Sequence, residues 1–487
     1  MTGRAASSPG TSPAPSRAAV ASAQIWAAAA TSSLSLVASM RPTRGSLTAV
    51  QRRLKPAARI DVGGRGGHYV TVSDGAGARL RAEMVAHLTE RGGLSSPQVA
   101  SALAEIPRHV FVPGVELSEA YADRAVVTRY RDGVPASSAS QPAVVAAMLE
   151  QLRPPAGGSV LEIGAGTGYN AALLSKLVGP SGRVVTVDID REVADEARRH
   201  LAEAGIPNVE VICGDGALGW PWNAPYDGII VTAGASDLAP AWVGQLAAHG
   251  RLVVPLSIRG VQQCVTFARA GGHLHSVAVC ECGFMPLAGA MANSDRHQPV
   301  PGHPGVYLEA AAGTEVDIGL VGRAMGDRGP GAGIGLSASG MEVFGSLRRW
   351  LAFQDRAAAL LVYIGPVEGA DASGVPPVLD FLHRGGVQRS SPCLLGRAGF
   401  AVLDLAGPAA QAGEPSLEAA SGLAVRGYGQ AGQETTRLRE LVAAWDTAGR
   451  PGAGRLRVDA YPAGISRPAT EASVYRALHT TFVVSLM

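Results

Sequence analysis

The segment Val160-Leu161-Glu162-Ile163-Gly164-Ala165-Gly166-Thr167-Gly168-Tyr169 decides the fold of this chain. A short apolar run gives way to three alternate glycines, where a strand turns into a helix. Glycine is needed there because the backbone must turn tightly and approach a ligand with no Cβ between them. Taken alone, such a loop is shared by nucleotide, flavin and nicotinamide sites.

The sequence downstream narrows the choice. Short apolar runs at 160–163, 184–189, 209–213, 228–232 and 252–255 alternate with helical patterns, the signature of a doubly wound, mostly parallel sheet. Runs at 264–268 and 274–279 flank a turn at 269–272, so an antiparallel pair should close that sheet. The second strand ends in Asp188, about 20 residues past the glycines, where a carboxylate accepts both hydrogen bonds of a ribose diol. The third ends in Cys213-Gly214-Asp215-Gly216, which places Asp215 on the same sheet edge, suited to an adenine amino group. The ordered set of glycine loop, acid and second acid resembles the class I S-adenosylmethionine methyltransferases. That resemblance implies S-adenosylmethionine as cofactor, bound by Glu162, Gly164, Gly166, Thr167, Gly168, Asp188, Asp215 and Gly216. No pyrophosphate has to be held at the helix N-terminus, and Glu162 is placed to complement a sulfonium.

The flanks are more specific. Pro107-Arg108-His109-Val110-Phe111-Val112-Pro113, Ala120-Tyr121-Ala122-Asp123 and Ser140-Gln141-Pro142 precede the loop; Asp215-Gly216-Ala217-Leu218-Gly219-Trp220, Ala224-Pro225-Tyr226-Asp227 and Phe284-Met285-Pro286-Leu287 follow it. In order and spacing they resemble the protein-L-isoaspartate O-methyltransferases, over residues 78–289. The resemblance implies a Rossmann-like sheet with an N-terminal helical cap, and makes Ser140 the substrate-side serine. Its hydroxyl would hold the incoming carboxylate in line with the methyl carbon, and a carboxylate ionised at neutral pH needs no general base. Ser140 can equally be the N-cap of the apolar run 144–149. Methylating the free α-carboxyl of an isoaspartyl residue gives an ester that the next backbone nitrogen displaces as a succinimide, whose hydrolysis returns some normal aspartate.

Composition bounds the remainder. A net charge of +2 supplies no field for nucleic acid, and no apolar stretch reaches membrane-spanning length. The five cysteines form no disulfide framework, so a cytoplasmic protein is expected; the family resemblance implies a peptide or protein substrate as partner. Residues 1–60 contain no acid and read as part of a disordered extension over 1–77; the run 19–38 is too interrupted by Ser, Thr and Gln for a signal peptide. The Gly-rich break Gly92-Gly93 separates two short helices, the second capped by Ser95 or Ser96 before Pro97. The methyltransferase domain is expected over 78–290, a Gly/Pro/His-rich linker over 291–335, and a smaller C-terminal α+β accessory domain over 336–487.

Within that last region a helix is expected over 340–352, a strand over 359–364, a helix over 433–448, and strands over 455–460 and 480–486. Glu342, Arg348, Arg349 and Trp350 on the first helix read either as a contact for a leader peptide or as a solvated face with one buried aromatic. His273, His275, Cys280 and Cys282 are not expected to hold metal, because strand alternation without a bulge sends the two pairs to opposite faces. Two other functions stay open. A relative with a C-terminal domain could tailor a ribosomally made peptide by esterifying an aspartate side chain, and a chain without catalysis could bind nucleoside alone.

Overall fold

The computed structural model describes residues 73–131, 134–292, 297–311, 314–383, 386–406, 420–467 and 472–487. The expected extension lies outside the described residues except for its last five, which begin helix α1 (Ser73–Glu90). Helix α2 (Pro97–Glu105) starts where the Ser-Pro pair puts it, with Ser96 accepting the Val99 N–H. A hairpin of β1 (Val126–Arg131) and β2 (Val134–Ala139) pairs with no other strand among the described residues, and α3 (Pro142–Leu152) follows it.

The central sheet then begins: β3 (Ser159–Ile163), α4 (Tyr169–Val178), β4 (Arg183–Asp188), α5 (Arg191–Glu203), β5 (Val209–Cys213), β6 (Tyr226–Val231), α6 (Pro240–Gln245) and β7 (Leu246–Ile258). Strands β5, β4, β3, β6 and β7 are neighbours in that order and run parallel. The order reverses between β3 and β6, and a crevice opens at their carboxyl ends, where open α/β sheets bind ligands. Strands β8 (Val261–Ala270) and β9 (His273–Glu281) add antiparallel to β7. One core cluster joins the cap, α3 and α4 to one face; another lies on the opposite face around Trp242, Phe267 and Leu274.

A bulge at Val277 shifts the register from Thr266↔Ala278 to Phe267↔Ser276. His273, His275, Cys280 and Cys282 therefore share one face, which corrects the alternation expected above. Among the described residues no group of three or more His, Cys, Asp or Glu could hold a metal ion.

The region read as a linker is structured. It contributes β10 (His297–Pro299), β11 (Val306–Ala310) and most of β12 (Arg328–Ser339). These join β13 (Ala358–Gly365), β14 (Leu379–His383), β15 (Gly386–Leu395), β16 (Gly399–Leu405) and β17 (Ala420–Gly429) in a second, antiparallel sheet of order β10-β11-β13-β15-β16-β17-β12, with β14 on β15. Its Gly- and Pro-rich strands, β10 and β12, lie at the two edges, where a strand tolerates those residues. The expected helix is continuous from Gly340 to Gln354 but includes a π turn over Val343–Leu347, directly before its last part, α7 (Arg348–Gln354). Helix α8 (Gly432–Thr447) covers the sheet with Leu438, Leu441, Val442 and Trp445.

The chain then returns to the first sheet. Strands β18 (Leu456–Pro462), β19 (Ser473–Arg476) and β20 (Thr480–Leu486) extend it past β9 in the order β9-β18-β20-β19. Leu456, Val458, Ala460, Phe482 and Val484 share one apolar cluster with Phe267, Leu274 and Val279. Residues 456–486, expected in a separate accessory domain, are thus part of the ten-stranded central sheet, because β9 offers an open edge with an apolar face that these strands cover.

Candidate active site

The pocket at the carboxyl edge of the parallel strands is built from four sources: the loop after β3, the ends of β4 and β6, the β1–β2 hairpin with the start of α3, and residues 283–288. In the glycine loop, Gly164 has φ +100°, and a Cβ there would stand 2.5 Å from Thr232 Oγ1, which donates to the Gly164 carbonyl. Gly168, at φ +86°, packs against the α5 backbone at Ala197. A side chain at either position would break the turn or push neighbouring elements apart. Ser140, Glu162, Gly164, Gly166, Thr167, Asp188 and Gly216 all line the pocket; Gly168 and Asp215 do not.

Asp188 is held by the loop it faces. Its Oδ2 accepts the Gly166 N–H at 3.1 Å and its Oδ1 the Asp190 N–H at 3.0 Å. Burial raises its pKa, and these backbone donors oppose the rise. Glu162 is fully buried and accepts from Thr186 Oγ1 at 2.6 Å and Asn170 Nδ2 at 2.7 Å. Desolvation pushes its carboxyl up to about 7, against those two hydrogen bonds. Among the described residues no cationic side chain pairs with it. A buried carboxylate of this kind, facing the pocket beside the glycine loop, fits a ligand that brings its own positive charge.

Two more polar atoms on the lining await a partner. Asn170 Oδ1 and Tyr169 Oη are buried with no hydrogen bond within the described chain. Asp215, just outside this lining, accepts two backbone hydrogen bonds. Its Oδ1 accepts the Ala217 N–H at 2.9 Å and its Oδ2 the Ala290 N–H at 2.8 Å, so it ties the exit of β5 to residues 289–290. The absence of a Cβ at Gly289 lets the carboxylate approach that closely.

Ser140 lines the same pocket as the glycine loop, and its backbone is held by Arg108. This guanidinium is fully buried; Nη2 donates to the Ser140 carbonyl at 2.9 Å and to that of Ala139 at 3.4 Å, and Nε donates to Ala120 O at 2.8 Å. Its Cζ lies 5.0 Å from the centre of the Tyr169 ring, so one cation touches the cap, the substrate-side strand and the glycine loop. Ser140 is not an N-cap. Gln141 takes that place without a side-chain cap bond, and Asp123 Oδ1 accepts the Ala143 N–H at 2.9 Å instead, while Gln141 Nε2 donates back to Asp123. Sequence reasoning assigned no role to Arg108, Asp123, Tyr169 or Asn170. For Arg108 the signal was present, a cation close before the apolar run Val110-Phe111-Val112 that ends at Pro113.

The protein-L-isoaspartate(D-aspartate) O-methyltransferase family model matches residues 79–292. A protein-L-isoaspartate O-methyltransferase of Methanoregula boonei is 43% identical over 197 residues, covering 40% of this chain and 87% of its own length. The chain belongs to the protein-L-isoaspartate O-methyltransferase family. Another member, from Methanopyrus kandleri, is 40% identical over 213 residues, 43% of this chain and 92% of its own. A solved structure titled protein-L-isoaspartate O-methyltransferase aligns over 78% of this chain and 96% of its own, at 24% identity and a TM-score of 0.42. As a protein-L-isoaspartate O-methyltransferase, the chain is an S-adenosylmethionine-dependent carboxyl O-methyltransferase. Among its described residues no helix is long and apolar enough to cross a membrane.

Proposed function

We propose that the enzyme methylates the free α-carboxyl of isoaspartyl residues in peptides or proteins, with Ser140 as the catalytic side chain on the substrate side. The observation that carries this reading is the Arg108 clamp, in which one buried cation holds the Ser140 backbone and packs on Tyr169 at the end of the glycine loop. S-adenosylmethionine, when bound, supplies an electrophilic methyl group on sulfur. The Ser140 hydroxyl, which has no partner among the described residues, is free to hold one oxygen of the incoming carboxylate in line with it. Asp188, already oriented by Gly166 and Asp190, holds the ribose, and Glu162 complements the sulfonium. We assign Gly216 to the adenine end of the pocket, with Asp215 shaping that end through Ala290. The five cysteines are all free, which suits a cytoplasmic enzyme, and the charge balance favours peptide over nucleic acid or lipid as partner.

One specific observation favours a second reading, tailoring of a dedicated peptide at an ordinary aspartate: residues beyond 291 form a second sheet and complete the first. Two peptides that differ only in carrying isoaspartate or aspartate, incubated with labelled S-adenosylmethionine, separate the readings. Base-labile label on the isoaspartyl peptide, lost in Ser140→Ala, is the expected result. Label on neither peptide, with cofactor still bound, would overturn general repair in favour of a dedicated substrate.

A further inference from the structure

The helix residues Arg348 and Arg349 neither face solvent nor lie open to a leader peptide. Arg349 is 1% exposed, and its guanidinium forks across two paired strands of the central sheet. Nη1 reaches Glu281 Oε1 at 3.1 Å and Gln263 Oε1 at 3.3 Å, while Nη2 donates to the Pro451 carbonyl at 3.0 Å. Gln263 and Glu281 are register partners, and β9 ends at Glu281. Two residues further on the chain becomes the pocket wall, residues 283–288. Gln263 also donates to the carbonyl of Gln262 at 2.7 Å, and the Gln262 amide clasps that wall on both sides of one residue: its Oε1 accepts the Phe284 N–H at 2.6 Å and its Nε2 donates to Phe284 O at 3.4 Å.

The same wall is held from a second direction by the C-terminal strands. Met285 and Leu287 exchange backbone hydrogen bonds with Gly234, in the loop after β6. Three residues along that loop, buried Asp237 accepts the backbone N–H of His479, in the turn between β19 and β20, at 2.6 Å. Arg349 behind the exit of β9 and His479 behind the β6 loop therefore bracket the wall.

From this bracket we infer that residues beyond 291 act on the reaction itself: Arg349 is a positioning residue that sets the pocket wall 283–288 and so governs substrate fit. A cation on a packed helix is suited to the task. It is buried with Glu281 and two other oxygen partners, Gln263 Oε1 and the Pro451 carbonyl, and a shift of the helix would strand charge on both sides of the contact. The glycine loop after β3 and the end of β4, which carries Asp188, are not on this path; Ala290, which meets Asp215 at the adenine end, lies two residues beyond it. The inference rests on the methyltransferase reading but is tested in part without activity.

Arg349→Met, Arg349→Lys and Gln263→Leu, each in the full-length enzyme, are compared with wild type for peptide KM, kcat, cofactor Kd, thermal midpoint and amide hydrogen exchange. Arg349→Met is expected to raise peptide KM about tenfold and leave cofactor Kd nearly unchanged, with Lys partly restoring KM. Its exchange should rise in 283–288 and not in 164–170. The Arg349→Met and Gln263→Leu effects should fall short of adding, since both act on one hydrogen-bonded unit. Unchanged peptide KM and unchanged exchange in 283–288, or losses spread evenly over the chain in step with the thermal midpoint, would overturn the inference. If wild type labels no isoaspartyl peptide, the functional reading fails, and the exchange pattern still decides the coupling.

Discussion

At Glu162 the electrostatics of an uncompensated buried acid make a sign that can be checked. Its carboxyl, ordinarily near 4.5, titrates at about 7 in the fold because burial disfavours the charge. The folded state then holds a proton that the unfolded state has released, so stability contributed by the neutral form is present below 4.5 and lost as pH rises towards 7. Glu162→Gln should raise the thermal midpoint at pH 8 while weakening S-adenosylmethionine about tenfold, with the product S-adenosylhomocysteine, whose sulfur is uncharged, far less affected. Calorimetric titration of both ligands between pH 6 and 8 reads this; equal losses for the two would show that Glu162 does not sense the sulfonium. Arg108 gives a second residue-level expectation. Arg108→Met should lower kcat about a hundredfold by letting Ser140 drift, and should have little further effect in a Ser140→Ala background. Additive losses in that double-mutant cycle would mean that Arg108 acts elsewhere.

Among elements, the β1–β2 hairpin stands apart because it joins no larger sheet among the described residues and an isolated two-stranded ribbon is marginal in water. Ion pairs fasten it over the pocket. Arg129 meets Glu192 at 2.5 Å and Glu196 at 2.7 Å on α5, and Arg131 meets Asp190 at 2.6 Å. Asp190 also caps α5 and donates its N–H to Asp188, so the fastening ends on the proposed ribose ligand. Because these partners are partly exposed, salt should loosen them. Raising ionic strength from about 0.05 to 0.5 M should weaken cofactor binding about threefold, and Arg129→Gln should remove most of that salt dependence. A salt response unchanged in Arg129→Gln, followed by stopped-flow cofactor release, would rule the hairpin out as its source.

Over the whole molecule, legibility followed the range of the interactions. The parallel strands announced themselves as apolar runs bounded by turns, and Asp188 and the glycine loop followed from local spacing. Strands β10 and β12 were hidden by composition, since Gly and Pro read as linker wherever the sheet edge that tolerates them is not known. Arg349 was misread because its partners, Gln263 and Glu281, lie far away in sequence and a helix pattern does not reveal which face will meet another sheet. The pairing of β18 with β9, through Asp459↔His275 and Ala460↔Leu274, was hidden for the same reason. Truncation after residue 454 should therefore uncover Phe267, Leu274 and Val279 and leave β9 as an open edge, giving insoluble protein. Recovery of a monomeric, cofactor-binding fragment from that truncation would show that the first sheet is complete without its C-terminal strands.

The return of the chain to its first sheet also has a consequence in time. Val458 donates its N–H to Ser276 Oγ across a separation of 182 residues, and all of them leave the ribosome before the edge of β9 meets its neighbour. At translation rates of about 5–20 residues per second, that edge waits for roughly ten to forty seconds. The second sheet is made within this interval, as an insert in a sheet whose β9 edge is still open and therefore able to pair with another chain.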